Sequence, residues 1–276
     1  MSVLRGTSPY STEFYLSQRE GSLRSAKSVL PTVFDLVHPK SVVDVGCGVG
    51  TWLSVAQQLG VEDIVGLDGD YVDRMLLVIP TEKFITCDLA GPLPVQRSFE
   101  LALCLEVVEH LPPSAAAQII AELARLAPVV LFSAAIPGQG GTHHVNEQWP
   151  EYWQELFARH GYLFCDCIRP RAWNDSDVEI CYRQNAFLVA HKSWLRLRPE
   201  LQPAMEPLAR VHPALWNMST RAVEGLRSGR DVSMRPFLRM FPSVFARMLR
   251  ARLYGSKREV IGGQRPKTTG GASFRA

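Results

Sequence analysis

Short apolar runs and amphipathic segments alternate along the middle of the chain. The apolar runs are five to seven residues long and rich in β-branched side chains, which is typical of buried strands. The segments between them carry apolar residues at helical spacing. The predicted strands are 41–45, 63–67, 83–87, 99–105 and 129–133, and the predicted helices are 51–59, 71–77, 114–126 and 149–160. Because such alternation produces parallel strands, the pattern predicts a doubly wound α/β fold.

Two flanking regions depart from this alternation. Residues 10–38 carry apolar residues at helical spacing around Pro31, which predicts one or two helices over the entrance to the core. Residues 162–168 and 179–190 are both β-rich, and the loop between them lacks room for a crossover helix, so they should pair antiparallel. We therefore expect a Rossmann-like sheet of seven strands that is mostly parallel and carries an antiparallel final strand.

Charge separates the end of the chain from the rest. The net charge is +3, but residues 235–276 contain ten Lys or Arg and one acid, a local +9 that leaves −6 elsewhere. Residues 237–254 have the spacing of a basic amphipathic helix, which would contact an anionic membrane or an acidic partner, and a solvated tail is the alternative. We predict a helical cap over 1–38, a central domain over 39–192 and a partly disordered extension over 193–276.

Composition limits the class of protein. The 276 residues are 46% apolar and 21% charged, which suffices for one α/β core and an appendage. No apolar run approaches the roughly 20 residues that cross a bilayer, and no secretion signal is present, so we expect a cytoplasmic location. The six cysteines lie mostly in strand-like segments, which predicts reduced, buried thiols.

The turn after the first predicted strand carries the strongest functional signal. The sequence Ser-Val-Val-Asp-Val-Gly-Cys-Gly-Val-Gly at 41–50 contains Asp44, Gly46, Gly48 and Gly50. Glycines let the backbone approach a ligand, and the N-terminus of the next helix offers it free amide groups. This turn predicts a nucleotide-like cofactor.

Acids at the next two strand ends extend this prediction. Asp68 follows the glycine turn by about twenty residues, where a carboxylate accepts hydrogen bonds from ribose hydroxyls. Asp88 and Leu89 end the third strand and offer a carboxylate and a backbone amide, which suits adenine. The Gly-x-Gly-x-Gly spacing lacks the third glycine position of a pyrophosphate site, which disfavours a dehydrogenase.

Together with Leu-Glu-Val-Val-Glu-His-Leu at 105–111, these motifs resemble the class I S-adenosylmethionine-dependent methyltransferases over residues 40–190. The 103–111 segment is similar to that of ubiquinone-biosynthesis O-methyltransferases. The resemblance implies S-adenosylmethionine as cofactor and S-adenosylhomocysteine as its product. It places the methionine part at Gly46 and Gly48, the ribose at Asp68 and Gly69, the adenine at Asp88 and Leu89, and the sulfur near Leu105.

Arg24 and Ser25 lie in a segment that resembles one preceding the glycine turn in some bacterial methyltransferases. The resemblance implies that one of them binds the methionine carboxylate, since arginine and hydroxyl groups donate hydrogen bonds to carboxylates. An ordinary helix surface is the alternative interpretation of the same segment.

Three histidines are candidates for the chemistry of the acceptor. A hydroxyl acceptor needs a base, and histidine serves near neutral pH. His110 follows the fourth strand, although it could instead shape the cofactor pocket with Glu109. His143 and His144 stand in a glycine-rich loop after the fifth strand, where an acceptor should bind. His143 and His144 could also hold a divalent metal with Asn146, Glu147 and Gln148, but our prediction is that no metal is bound.

The expected acceptor is a small polar molecule. Arg169, Arg171 and Trp173, in the loop between the last two strands, should reach the same rim and hold a sugar, phosphate or carboxylate group. The loop with His143 and His144 also resembles that of bacterial methyltransferases of glycan and natural-product pathways. This resemblance implies O-methylation of a sugar or natural-product hydroxyl.

Other functions remain open from the sequence. N- or C-methylation of a small molecule would use the same cofactor site. A nucleic-acid methyltransferase is disfavoured, because no Asn-Pro-Pro-Tyr type of motif follows the fourth strand. The non-enzyme alternative is a cofactor-binding scaffold whose basic tail contacts an acidic partner.

Overall fold

The computed structural model describes residues 12–204 and 208–228 and contains one seven-stranded sheet. Its order is β3-β2-β1-β4-β5-β7-β6, and the first five strands along the chain run parallel. The final strand, β7, lies between β5 and β6 and is antiparallel to both. The strands are β1 (Ser41–Val45), β2 (Asp63–Asp68), β3 (Phe84–Thr86), β4 (Leu101–Leu105), β5 (Val129–Ser133), β6 (Tyr162–Cys165) and β7 (Phe187–His191). The predicted fold class is confirmed.

Helices follow most of the strands, as the alternation predicts. The α-helices are α1 (Thr12–Val37), α2 (Thr51–Gln58), α3 (Ala116–Leu126), α4 (Pro150–Ala158), α5 (Arg169–Ala172), α6 (Ile180–Asn185), α7 (Lys192–Leu195) and α8 (Pro213–Ser228). Short 3₁₀ turns lie at Arg74–Leu76, Thr81–Lys83, Val108–His110 and Pro113–Ala115. The first helix continues through Pro31, whose ring lies on the exposed side.

Two predicted elements were wrong. The helix predicted at 71–77 is a single 3₁₀ turn, which Asp73 caps by accepting a hydrogen bond from the Met75 amide. The strand predicted at 179–190 begins only at Phe187, because residues 180–185 form α6. Polar Gln184 and Asn185 are buried at the end of that helix, where they bond to each other and to side chains of other loops.

The core lies on both faces of the sheet. Leu30 of α1 and Leu53 of α2 pack on one face, with Val42 of β1. Ile119 of α3 and Trp153 of α4 pack on the other face. Because neighbouring residues of a strand point to opposite faces, the apolar strands contribute side chains to both core layers.

Contacts divide the chain into two units, Met1–Ser219 and Thr220–Ala276. The predicted boundaries at 38 and 192 stay predictions, and the predicted basic helix at 237–254 lies outside the described residues.

All six cysteines are free thiols. Within the described ranges, no helix has both the length and the apolar character of a membrane span.

Candidate functional site

The carboxyl ends of β1, β2 and β4 open onto a cavity of about 540 Å³. Residues of α1, the glycine turn before α2, the loop after β5 and the start of α6 form its walls. Eight of the residues selected from the sequence line it, namely Asp44, Gly46, Gly48, Asp68, Leu89, Leu105, His110 and His144. Five others, Arg24, Ser25, Gly69, Asp88 and His143, are not among its lining residues.

Asp68 joins the glycine turn to β2. It ends that strand and is only 4% exposed. The amides of Gly48 and Gly69 donate to its carboxylate at 2.6 and 2.7 Å. The Tyr71 hydroxyl also donates to it, at 2.6 Å, in the kind of contact that a sugar hydroxyl would make. Burial raises the pKa of the Asp68 carboxyl, and these hydrogen bonds partly oppose that shift.

Asp44 adds a second buried acid to the cavity. It lies one residue before the end of β1 and is 3% exposed. Burial, followed by the nearby Asp68 charge, raises the pKa of its carboxyl well above the usual range. Two acids held in a dry site favour a positively charged ligand, because its charge offsets both their desolvation and their mutual repulsion. A sulfonium ion fits this requirement.

The glycine turn needs glycine at Gly46 for two reasons. Its φ of 86° lies in the left-handed region that side chains disfavour. An added Cβ would also lie 2.3 Å from Cγ2 of Val107, the second residue after β4. The turn can therefore present backbone groups to the cavity without a side chain in the way.

Two of the residues selected for the adenine and for the methionine carboxylate, Asp88 and Arg24, lie outside the cavity lining. Asp88 is exposed and accepts a hydrogen bond from the Ala90 amide at 2.9 Å, so it caps a turn at the rim, while Leu89 is buried and faces the cavity. Arg24 is exposed and pairs with Glu20 at 3.0 Å. Their binding roles stay predictions.

Ser25 is fully buried and joins α1 to the segment before α6. Its hydroxyl donates to the Gly21 carbonyl at 2.8 Å and accepts from the Glu179 amide at 2.9 Å. The α1 residues that line the cavity are instead Arg19 and Ser22. Sequence reasoning missed both, although they are three residues apart and so share one helix face.

Glu106 is a cavity residue that sequence reasoning also missed. Its φ of 53° is unusual for a residue with a side chain, and strained positions often occur at functional sites. The side-chain amides of Asn185 and Gln139 donate to its carboxylate at 3.2 and 2.9 Å. Burial raises the pKa of this carboxyl. Both amide donors come from distant segments, so no local signal connects them with Glu106.

His110 and His144 meet at the cavity wall. Their ring centroids lie 4.8 Å apart in an edge-to-face arrangement. Burial, and then the neighbouring His144, lower the pKa of His110 to about 4, so its ring is neutral at pH 7. The Nδ1 atom of His144 lies 2.9 Å from Oε1 of Glu147, which orients the ring.

Glu109 completes a group of possible metal ligands with the two histidines. It is fully buried, and each of the three side chains offers a ligand atom within 4.8 Å of the others. The Glu109 carbonyl also accepts the amides of Val145 and Asn146, at 2.9 and 3.0 Å, and so holds the loop that carries His144. The sequence had suggested His143 as a partner for His144, but the structure places Glu109 and His110 there instead.

A comparison with protein-family models now identifies the chain. Residues 15–166 match the model described as a methyltransferase domain, which is more than half of the chain. The chain belongs to the class I methyltransferase family. Its cofactor is S-adenosylmethionine. The glycine turn and the two buried acids, which we expected to hold this cofactor, are part of the matched region.

A comparison with solved structures finds similar proteins at low sequence identity. The sugar N-methyltransferase KedS8 from a Streptoalloteichus species is 14% identical, with a TM-score of 0.53, over 69% of this chain and 97% of that one. DesVI from Streptomyces venezuelae is 16% identical, with a TM-score of 0.47, over 65% and 95% of the two chains. No curated protein matches the sequence.

In this methyltransferase Arg169 does not lie at the cavity rim, where the sequence analysis expected it to hold a group of the acceptor. Arg169 is 2% exposed, and its guanidinium donates to Asp166 and to the carbonyls of Gln184 and Leu208. The prediction of an exposed cation at the cavity rim was therefore wrong for this residue. It treated the segment as an open loop, whereas the segment folds into α5 and turns Arg169 inward.

Proposed function

We propose that this methyltransferase transfers a methyl group to the hydroxyl of a small polar acceptor, such as a sugar or a natural product. The observation that carries the proposal is the shared cavity, which has the glycine turn with Asp68 on one wall and His110 with His144 on another. Its volume of about 540 Å³ is in the ordinary range of small-molecule sites, roughly 300–1,000 Å³.

The cofactor-binding roles follow from the placement of the cavity residues. Gly46 and Gly48 would meet the methionine part, and Asp68 would accept the ribose hydroxyls in place of the Tyr71 hydroxyl. Leu89 would contact the adenine, with Asp88 at the rim. When bound, S-adenosylmethionine supplies a methyl group activated by its sulfonium, and Asp44 adds a negative charge to the same cavity.

The histidines would act on the acceptor. Methyl transfer is an in-line displacement, so much of the catalysis comes from holding the acceptor oxygen in line with the methyl group. We propose that His110 and His144 contact the acceptor hydroxyl and help it lose its proton. His143 is adjacent along the chain but is not among the cavity-lining residues, so its part would be to shape the loop.

N-methylation of an amine is the second candidate, and Glu106 favours it. The partly buried carboxylate of Glu106 lines the cavity and would attract a protonated amine. An amine acceptor must lose its proton before it attacks, so the same histidines would serve it.

The cofactor site can be tested by titration calorimetry with S-adenosylmethionine and S-adenosylhomocysteine. Asp68→Asn should weaken binding about tenfold or more, because hydrogen bonds to a charged group contribute about 1.5–3 kcal/mol. Asp63→Asn, at the other end of β2, is the matched control, since Asp63 is half-exposed and pairs with Arg97. It should bind like the wild type. Absence of binding to the wild-type protein would refute the proposal.

The acceptor side needs a separate measurement. His144→Ala should keep cofactor affinity and lose turnover in an assay of S-adenosylhomocysteine release with a panel of sugar and phenol acceptors. Wild-type turnover in this variant would remove His144 from the mechanism.

Contact of the basic tail with a membrane or an acidic partner concerns residues outside the described part, and it stays a prediction together with the cytoplasmic location.

A further inference from the structure

Glu109, His110 and His144 have the composition and spacing of a metal site, with the two histidines lining the cavity and Glu109 fully buried beside them. Each side chain places one potential ligand atom within 4.8 Å of the other two. We propose that these three residues bind one divalent transition-metal ion, which holds the acceptor oxygen next to the methyl donor. This inference rests on the proposed function in one respect, namely that the two histidines face the acceptor.

Glu109 provides an independent reason to expect a cation. Its side chain is 0% exposed, and its Oε1 accepts the Ala135 amide at 3.2 Å. Its Oε2 is buried and receives no hydrogen bond from an N–H or O–H donor in the described part of the chain, and the side chain that interacts with it is a second carboxyl, that of Glu106. Two carboxyl groups without a donor between them are costly in a protein interior, and a metal ion would satisfy the Glu109 oxygen and offset the repulsion. The orphaned oxygen belongs to the side chain that lies beside the two imidazoles.

The ring of His144 is oriented as a metal ligand requires. Glu147 binds its Nδ1 at 2.9 Å, which leaves Nε2 as the nitrogen available to an ion. Carboxylates that bind the far nitrogen of a metal-ligating histidine are a common second layer of metal sites. Glu147 is itself fixed, because the amides of Gly138 and Gly140 donate to it at 2.7 and 2.8 Å. Glu147 is therefore a positioning residue for this site.

His110 and the loop of His144 are joined to Glu109 by the backbone. His110 is the next residue after Glu109, and the Glu109 carbonyl accepts two amides of the loop that follows His144. The three side chains are thus assembled by short-range connections, even though His144 is distant in sequence from the other two. The ligand atoms of a tetrahedral ion lie on the order of 3.4 Å apart, so rotation of the side chains would close the remaining gap.

The ligand set indicates which ions fit. Imidazole nitrogens favour zinc, iron, copper and nickel, whereas sites made only of oxygen atoms favour magnesium and calcium. Two imidazoles and one carboxylate therefore favour a transition-metal ion. Three protein ligands also leave a coordination position for an exogenous oxygen, as in catalytic zinc sites.

An ion at this position would take over the deprotonation proposed above for the two histidines, because an imidazole nitrogen that ligates a metal ion cannot also accept a proton. A hydroxyl bound to a divalent ion has a lowered pKa and releases its proton to water more readily. A lone pair of the resulting oxyanion forms the new oxygen–carbon bond to the methyl group. The carbon–sulfur bond breaks, and its electron pair stays on sulfur. The products are the methyl ether, S-adenosylhomocysteine and one proton.

Metal binding can be measured without knowing the acceptor. The full-length protein is treated with a chelator, dialysed and titrated with Co²⁺ and Zn²⁺, while calorimetry and Co²⁺ absorption record binding. We expect one ion per chain, and loss of that binding in His144→Ala and Glu109→Gln. Glu147→Gln should weaken binding by about 10–100-fold, as expected for a residue that orients a ligand.

His143→Asn is the matched control. It lies in the same loop at φ 59°, which asparagine tolerates, and it lies outside the proposed ligand set. It should bind the ion as tightly as the wild type, and every variant should still bind S-adenosylmethionine if it is folded. Wild-type protein that binds no ion, or His144→Ala that binds it unchanged, would overturn the proposal. A protein that binds the ion but not the cofactor would refute the proposed function and leave the metal site standing.

Discussion

Asp44 and Asp68 show how single residues set the properties of the site. They are 3% and 4% exposed, and burial raises the pKa of both carboxyl groups. A carboxyl whose pKa is higher in the folded than in the unfolded state makes the protein less stable as the pH rises above the unfolded value. These acids therefore cost stability in the free protein, and binding of a cationic cofactor would recover it.

Asp44→Asn should stabilise the free protein. At pH 8 the substitution removes the negative charge of the Asp44 carboxylate from a buried site. We therefore expect a gain of about 1–3 kcal/mol in the free energy of unfolding and a higher Tm. The gain should shrink as the pH falls towards the ordinary Asp pKa of about 3.9, below which both the folded and the unfolded state hold the proton. Scanning calorimetry from pH 8 to pH 5 measures this trend, and a gain that did not change with pH would contradict it. Cofactor affinity should fall in the same variant.

A comparison of Gly46→Ala with Gly60→Ala separates the cost of backbone strain from the cost of a steric clash. Gly46 and Gly60 both have positive φ, at 86° and 97°, but an added Cβ meets Val107 at Gly46 and nothing within 4 Å at Gly60. Gly60→Ala should cost about 1–2 kcal/mol of stability through strain alone. Gly46→Ala should cost more and should also lower cofactor affinity. Urea unfolding and calorimetry test this pair, and equal effects in both variants would show that space at Gly46 is unimportant.

At the level of elements, α1 depends on hydrogen bonds to a segment more than 140 residues away. Ser25 accepts the Glu179 amide, and Ser28 donates to the Asp175 carboxylate. Gly21 leaves room for the Glu179 side chain, because an added Cβ would lie 2.2 Å from its Oε1. These contacts hold the helix that carries Arg19 and Ser22 at the cavity.

Ser25→Ala should loosen this connection. The Glu179 amide would lose its partner, which typically costs about 1–3 kcal/mol in a buried position. Hydrogen exchange should become faster in α1 and at the start of α6. Ser54→Ala is a suitable control, because the Ser54 hydroxyl donates to the Thr51 carbonyl and both residues lie in α2. Unchanged exchange in α1 of Ser25→Ala would show that apolar packing alone holds the helix.

At the level of the whole molecule, Arg169 connects three parts of the chain. Its guanidinium pairs with Asp166 at 2.6 and 2.8 Å, and it donates to the Leu208 carbonyl at 2.8 Å and to the Gln184 carbonyl at 3.3 Å. It also lies 4.1 Å from the ring centroid of Phe187 in β7. The buried cation thus ties the outer strands to the segment that follows α7.

Arg169→Ala should be strongly destabilising. The Asp166 carboxylate would lose both of its guanidinium hydrogen bonds and keep only Arg210, at 3.8 Å, and breaking a buried ion pair typically costs about 3–5 kcal/mol. Arg171→Ala, at an exposed position of the same helix, should stay within about 0.5 kcal/mol of the wild type. Denaturant unfolding of both variants tests the contrast. A small effect at Arg169 would indicate that water reaches Asp166.

The sequence alone determined the strands, most helices, the glycine turn and the acids at the strand ends. These features are local, since side-chain periodicity marks buried strands and parallel strands bring their carboxyl ends to one edge. It misjudged residues 179–186, because β-rich composition does not reveal that Gln184 and Asn185 turn inward to bond with partners such as Gln139.

Only the tertiary structure decided which side chains meet at the cavity and beside it. It brought His144 to Glu109 and His110, held Glu106 with Asn185 and Gln139, and replaced Arg24 and Ser25 by Arg19 and Ser22 at the wall. It also buried Arg169. Such pairings depend on how loops return over the sheet and on the rotation of a helix about its axis, and neither is encoded in the spacing of neighbouring residues.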